Sequence, residues 1–143
     1  LVSGLVVGDR VLCDTVLRRT LVLGRAGGAL DTGWLPPATQ KNAGTTLRAR
    51  RVGQVVYLRG IIYGAGSSIA SGAPESAMAT LPTAVLPTVT QRLTGGSLVA
   101  GSTAEQGRAV GVQISTAGAV TIFNPNSTAI SYALVDGLSY HID

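Results

Sequence analysis

The 143-residue sequence holds one cysteine and one histidine, and each scarcity removes a class of function. Cys13 has no partner with which to staple its own chain, and a metal cluster needs several ligands at set spacings. It sits inside an apolar, strand-like run, where a lone thiol reads as a small buried hydrophobe. His141 is equally alone, so no histidine-based metal cluster can form within one chain, and one imidazole without a partner is rarely a catalyst. It reads as a structural or exposed strand residue. No serine stands in a G-x-S-x-G elbow, and no glycine-rich loop joins a strand to a helix as phosphate cradles require. The seven acids include no close pair of the kind glycosidases use, and Asp136 is accounted for by its turn. Catalysis, a metal and a cofactor are therefore not expected, and no residue is assigned a catalytic role.

Long apolar runs are also missing. None approaches the roughly 20 residues that span a bilayer, so membrane insertion is not expected. No charged segment leads into an apolar stretch and a small-residue cleavage site, so no signal peptide is read. The first residue is Leu1 rather than Met, which suggests a mature or excised piece, or part of a longer polypeptide. Aromatics make up only 4%, yet hydrophobic residues reach 45%, so the core must be built from Val, Leu, Ile and Ala. That apolar share excludes disorder. No segment has the period of a three-turn helix. Nineteen glycines and six prolines instead punctuate short apolar runs, the pattern of short strands joined by turns. Solenoid periods and βαβ alternation are both absent.

Lysine is scarce too: ten arginines and a single lysine face the seven acids, for a net charge of +4. Arginine is the cation of bidentate and stacked contacts at interfaces. The arginines are scattered, with no run of five or more basic residues, so a nucleic-acid partner is not expected. The balance suits an anionic wall polymer or an acidic neighbour in an assembly.

Three regions differ in texture. Residues 1–25 hold two apolar runs, at 10–16 and 20–23, separated by Arg18 and Arg19. They read as a β-hairpin belonging to, or following, an upstream domain, because an isolated hairpin is marginal in water. Residues 26–45 form a Gly/Pro-rich extended connector in which Pro36 and Pro37 forbid a central strand. Residues 46–143 carry the main domain. Within it, residues 54–63 (QVVYLRGIIY) are the longest β-forming stretch. Val56, Leu58, Gly60 and Ile62 share an apolar face, and Val55, Tyr57, Arg59 and Ile61 share the other. Prolines 82 and 87 reduce TLPTAVLPTV to edge strand or loop. Hairpins are expected over 109–123, turning at 116–118, and over 130–142, where Asp136 and Gly137 supply the Asp-Gly turn signal. The fold class is all-β, an antiparallel β-sandwich or jelly-roll-like domain preceded by a hairpin and a linker.

These segments resemble the C-terminal receptor-binding or head domains of siphophage minor tail proteins and tail fibres. Residues 50–60 (RRVGQVVYLRG) match an R-x-V-G-x-V-V-x-x-x-G core, and WLPPAT at 34–39 matches the W-x-x-L-P-type stretch that precedes it. The A-x-L-P element appears at 79–82 with Pro87 close behind. VQISTAGAVTI at 112–122 and LVDGLSYHI at 134–142 match the two closing hairpins. Ser131 and Tyr132 stand where the family often has tryptophan ahead of the last hairpin. The upstream segment is similar to its counterpart in phages of Gram-positive, particularly actinobacterial, hosts. The resemblance implies a homotrimer in the virion, at the tail tip or in a fibre. Its partners would be other tail proteins and a host-surface glycan or wall polymer.

Candidate ligand-binding residues follow from chemistry. Sugar rings stack on aromatic faces, which singles out Trp34, Tyr57 and Tyr63. Tyr57, Arg59 and Tyr63 share one strand face by alternation and form a candidate ligand stripe where that face is exposed. Arginine forks match phosphate oxygens, which singles out Arg48 and Arg50. Trp34 reads equally as an interchain packing anchor, and the arginines as a solvated strand face. Two other functions stay open: a structural tail-assembly and trimerisation module without a receptor, and a cellular carbohydrate-binding β module.

Overall fold

A computed structural model describes residues 11–16 and 19–25 as backbone, and residues 30–66, 68–72, 77–98 and 108–142. The chain divides into two compact units, Leu1–Leu30 and Asp31–Asp143. In the first, β1 (Val11–Val16) and β2 (Arg19–Arg25) pair antiparallel, with the register slipping by one residue between Leu12 and Cys13. Cys13 lies on β1; the burial expected for its thiol falls outside the described side chains.

The second unit opens with β3 (Thr39–Gln40), β4 (Arg48–Val52), β5 (Val55–Arg59) and β6 (Ile61–Tyr63). Then come β7 (Ala79–Thr80), a 3-10 turn at Thr83–Val85, and β8 (Gln91–Leu98). β9 (Ala109–Ile114), β10 (Ala119–Phe123), β11 (Tyr132–Leu134) and β12 (Ser139–His141) complete it. The strands form a seven-stranded sheet, in the order β3-β7-β10-β9-β8-β11-β6, and a three-stranded sheet, β12-β5-β4. All pairings are antiparallel. The all-β, antiparallel class expected from composition is the one found.

Alternation places the core. Val56, Leu58 and Ile62 are buried, as the period-two reading required, and so are Val110, Val112 and Ile114 with Val120 and Ile122. Leu47, Ile69, Met78, Val85 and Ile130 fill the space between them. Each such side chain contributes roughly 1.5–3 kcal/mol of burial. Tyr140 is buried among them and donates its hydroxyl to the Val85 carbonyl, which ties β12 to the 3-10 turn. Burial pushes that hydroxyl's pKa well above the ordinary tyrosine range.

Two expectations need correction. The 54–63 stretch is not one strand: it breaks at Gly60, with β5 in the small sheet and β6 in the large one. Gly60 takes φ +103°, and a Cβ there would lie 2.4 Å from the Thr46 carbonyl oxygen, so only glycine fits. Nor do β11 and β12 pair with each other. β11 lies between β8 and β6, whereas β12 pairs with β5. Asp136 and Gly137 do form a turn, closed by Leu138 N–H donating to the Val135 carbonyl (3.2 Å), but it carries the chain between sheets. The two corners meet. Val135 N–H donates to the Gly60 carbonyl at 3.1 Å, and Gly60 N–H donates to Asp136 Oδ1 at 3.1 Å. The antiparallel pair β6·β11 thus continues around one bend as β5·β12. An Asp-Gly turn specifies a reversal but not which strand receives the returning chain.

Candidate functional site

Residues directly opposite in an antiparallel pair project to the same face. Pairing of Arg48 with Arg59, Arg50 with Tyr57, and Tyr57 with Ser139 gathers these side chains on the outer face of the three-stranded sheet. Residues 31–35 extend that sheet past β4. Asp31 bridges to Val52 and Leu35 to Ala49, and Leu35 and Ala49 exchange N–H···O bonds of 2.8 and 3.0 Å. Leu35 packs against the core, so its neighbour Trp34 is carried to the outer face. The segment read from sequence as connector therefore forms one wall of the site.

The result is a shallow cavity of about 370 Å³ lined by Trp34, Arg50, Val52, Tyr57, Leu58, Arg59 and Gly137. Four of the six sequence candidates line it. Arg48 does not: its guanidinium turns back and donates to the Leu47 carbonyl at 2.8 Å. Tyr63 is placed elsewhere, since the break at Gly60 moves it to the large sheet. There its ring packs against Tyr132 at a centroid distance of 5.1 Å. The single stripe of Tyr57, Arg59 and Tyr63 expected from alternation does not exist.

Within the cavity, much of the chemistry is already engaged. Arg50 makes a bidentate pair with Asp31, Nε to Oδ1 at 2.9 Å and Nη2 to Oδ2 at 2.5 Å. The Arg50 hydrogen bond, helped by Gly33 N–H, lowers the Asp31 pKa to about 2. Arg59 lies over the Trp34 ring, 4.1 Å from its centroid, a cation–π contact that occupies one aromatic face. Tyr57 is 43% exposed and is the least committed aromatic of the set. Asp31 carries no signal in the sequence because residues 26–45 read as linker; only the 19-residue reach to Arg50 gives it a role. His141 is exposed on β12, as expected of a strand histidine. Among the described residues no group of three or more His, Cys, Asp or Glu could hold a metal ion. No helix among them is long and apolar enough to cross a membrane.

No protein-family model matches the chain, and no curated protein matches it. Among solved structures the chain is similar to the head domain of phage bIL170, described in connection with a common fold for the receptor binding domains of lactococcal phages. The TM-score is 0.54 at 20% identity, and the match covers 78% of this chain and 98% of that one. At this identity the likeness is one of fold, and it spans essentially the whole of that head domain.

Proposed function

We propose that this chain is a receptor-binding head of a phage tail, carried at the tail tip or on a fibre, which attaches the virion to a Gram-positive host. The observation that carries this reading is the shared fold over 98% of the phage bIL170 head domain. Cation chemistry supports it. Among the described residues of the second unit, seven cationic side chains stand against Asp31 and Asp136, an excess suited to a wall polymer that bears negative charge. In this reading the chain is not an enzyme. It is a homotrimer whose partners are other tail proteins and a host saccharide or wall polymer. In this reading the hairpin of β1 and β2 belongs to, or follows, an upstream domain. The narrower expectation of an actinobacterial host rests on sequence resemblance alone.

Retention of the purified chain on cell-wall material from a panel of Gram-positive bacteria tests the attachment, with Gram-negative envelopes as the control. Light scattering tests the trimer, and a monodisperse monomer at micromolar concentration would refute it. A second reading, a structural tail module without a receptor, is favoured by one observation: Arg50 and Arg59 are occupied within the chain. Absence of retention on every wall preparation would support that reading.

A further inference from the structure

A second cavity of about 370 Å³ lies on the large sheet, lined by Arg92, Leu93, Gly111, Val112, Gln113, Thr121 and Phe123. Its outward side chains fall in two rows set by strand register. Arg92, Gln113 and Thr121 stand opposite one another across β8, β9 and β10, and Thr94, Gly111 and Phe123 form the next row. Strands lie about 4.8 Å apart and alternate residues about 6.7 Å apart. The patch therefore measures roughly 10 by 7 Å, the footprint of a single sugar ring with a substituent.

Its chemistry is complementary within that footprint. Phe123, the only phenylalanine in the chain, is 42% exposed, an apolar platform at one corner. Gly111 beside it keeps the platform open, since a Cβ there would lie 3.4 Å from Phe123 Cβ and 3.7 Å from its ring. Glycine in a strand interior weakens the strand, so this opening is held against a local cost. At the diagonal corner stands the exposed Arg92, and between them lie the amide of Gln113 and the hydroxyl of Thr121. Among the described residues none of these polar groups has a hydrogen-bond or ion-pair partner. The described carboxylates of the second unit are engaged elsewhere, Asp31 with Arg50 and Asp136 with Gly60.

We propose that this groove binds a pyranose bearing an anionic substituent. The C–H face of the sugar rests on Phe123, its hydroxyls bond to Gln113 and Thr121, and its phosphate or carboxylate is held by Arg92. This rests on the receptor-binding reading and assigns the contact surface to the large sheet, away from Trp34 and Tyr57.

The test is a titration of the isotope-labelled whole chain, followed by amide NMR, with α-D-glucose 1-phosphate, D-glucuronate, methyl α-D-glucopyranoside and inorganic phosphate. Saturable shifts at Gly111, Gln113, Thr121 and Phe123 are expected with the two anionic sugars, and the stronger of them identifies phosphate or carboxylate. Phe123→Ala should weaken binding roughly tenfold and Arg92→Ala roughly fivefold. Gly111→Val, which fills the notch, should abolish it. Both of the first two side chains are exposed, so their variants should fold as the parent does. Shifts confined to Trp34, Tyr57 and Arg59, absence of shifts with either anionic sugar, or equal binding of the neutral glucoside would overturn the proposal. Retention on Gram-positive walls that survives all three substitutions sinks this site and leaves the receptor reading standing. Groove binding without any wall retention does the reverse.

Discussion

The two outer faces of the second unit carry similar residue types in opposite states of commitment. On the small sheet, Arg50 is paired with Asp31 and Arg59 lies on Trp34. On the large sheet, Arg92, Gln113 and Phe123 stand exposed beside a glycine gap. A ligand recruiting Arg50 must first displace a bidentate carboxylate, and one seeking that face of Trp34 must displace a cation. Among the described residues nothing of the kind opposes a ligand on the large sheet. Arginines and aromatics thus indicate a binding surface only once their internal partners are counted.

The contrast depends on the corner that holds the small sheet in place, so the heaviest blow falls there. Gly60→Ala forces a side chain into φ +103° and against the Thr46 carbonyl, and should cost about 4 kcal/mol or more. Urea unfolding would measure it; a loss below about 1 kcal/mol would mean that the corner relaxes freely. Next come the side chains beneath each face. Leu58→Ala under the small sheet and Ile122→Ala under the large one should each cost about 2–5 kcal/mol, both being essentially fully buried. Tyr57→Ala, directly beside Leu58 but 43% exposed, should cost clearly less. A larger loss for Tyr57 than for Leu58 would reverse the assignment of faces.

The alternation in residues 54–63 identified Val56, Leu58 and Ile62 as core, because period two survives a change of sheet. The change itself was hidden: Gly60 reads as one more small residue on the apolar face unless its φ and the nearby Thr46 carbonyl are known. Trp34 and Arg59 were each singled out for their chemistry, yet their contact depends on residues 31–35 joining β4, which no local period reports. The Phe123 groove left fainter traces. Gly111 interrupts a strand, and Gln113 and Thr121 occupy polar alternate positions, but their convergence depends on the β8-β9-β10 register.

Smaller effects sharpen the comparison. Tyr140→Phe removes a hydrogen bond to a buried carbonyl and should cost about 1–3 kcal/mol, measured by the same unfolding experiment. Unchanged stability would mean that water replaces the hydroxyl. The Asp31–Arg50 pair should show itself more plainly in titration than in stability. Because the folded pKa is depressed, the pair's contribution is fully present above the ordinary aspartate range and is lost as pH falls through about 2. Carbon NMR of the Asp31 carboxyl should give a midpoint near 2, moving toward 3.8 in Arg50→Ala. A midpoint near 3.8 in the parent protein would mean that the small face is as uncommitted as the large one. Arg92→Ala should be the mildest, within about 0.5 kcal/mol in unfolding, as expected of an exposed side chain with no partner among the described residues.

The meeting of the two corners has a consequence for breathing motions. Gly60 and the turn at Asp136 and Gly137 carry two neighbouring segments between the sheets at one place, and each donates to or accepts from the other. Fraying β12 from β5 pulls on the same hydrogen bonds that anchor β11 beside β6. The sheets are therefore coupled like two leaves on one hinge pin, and their amide protons should exchange with solvent as a single cooperative unit.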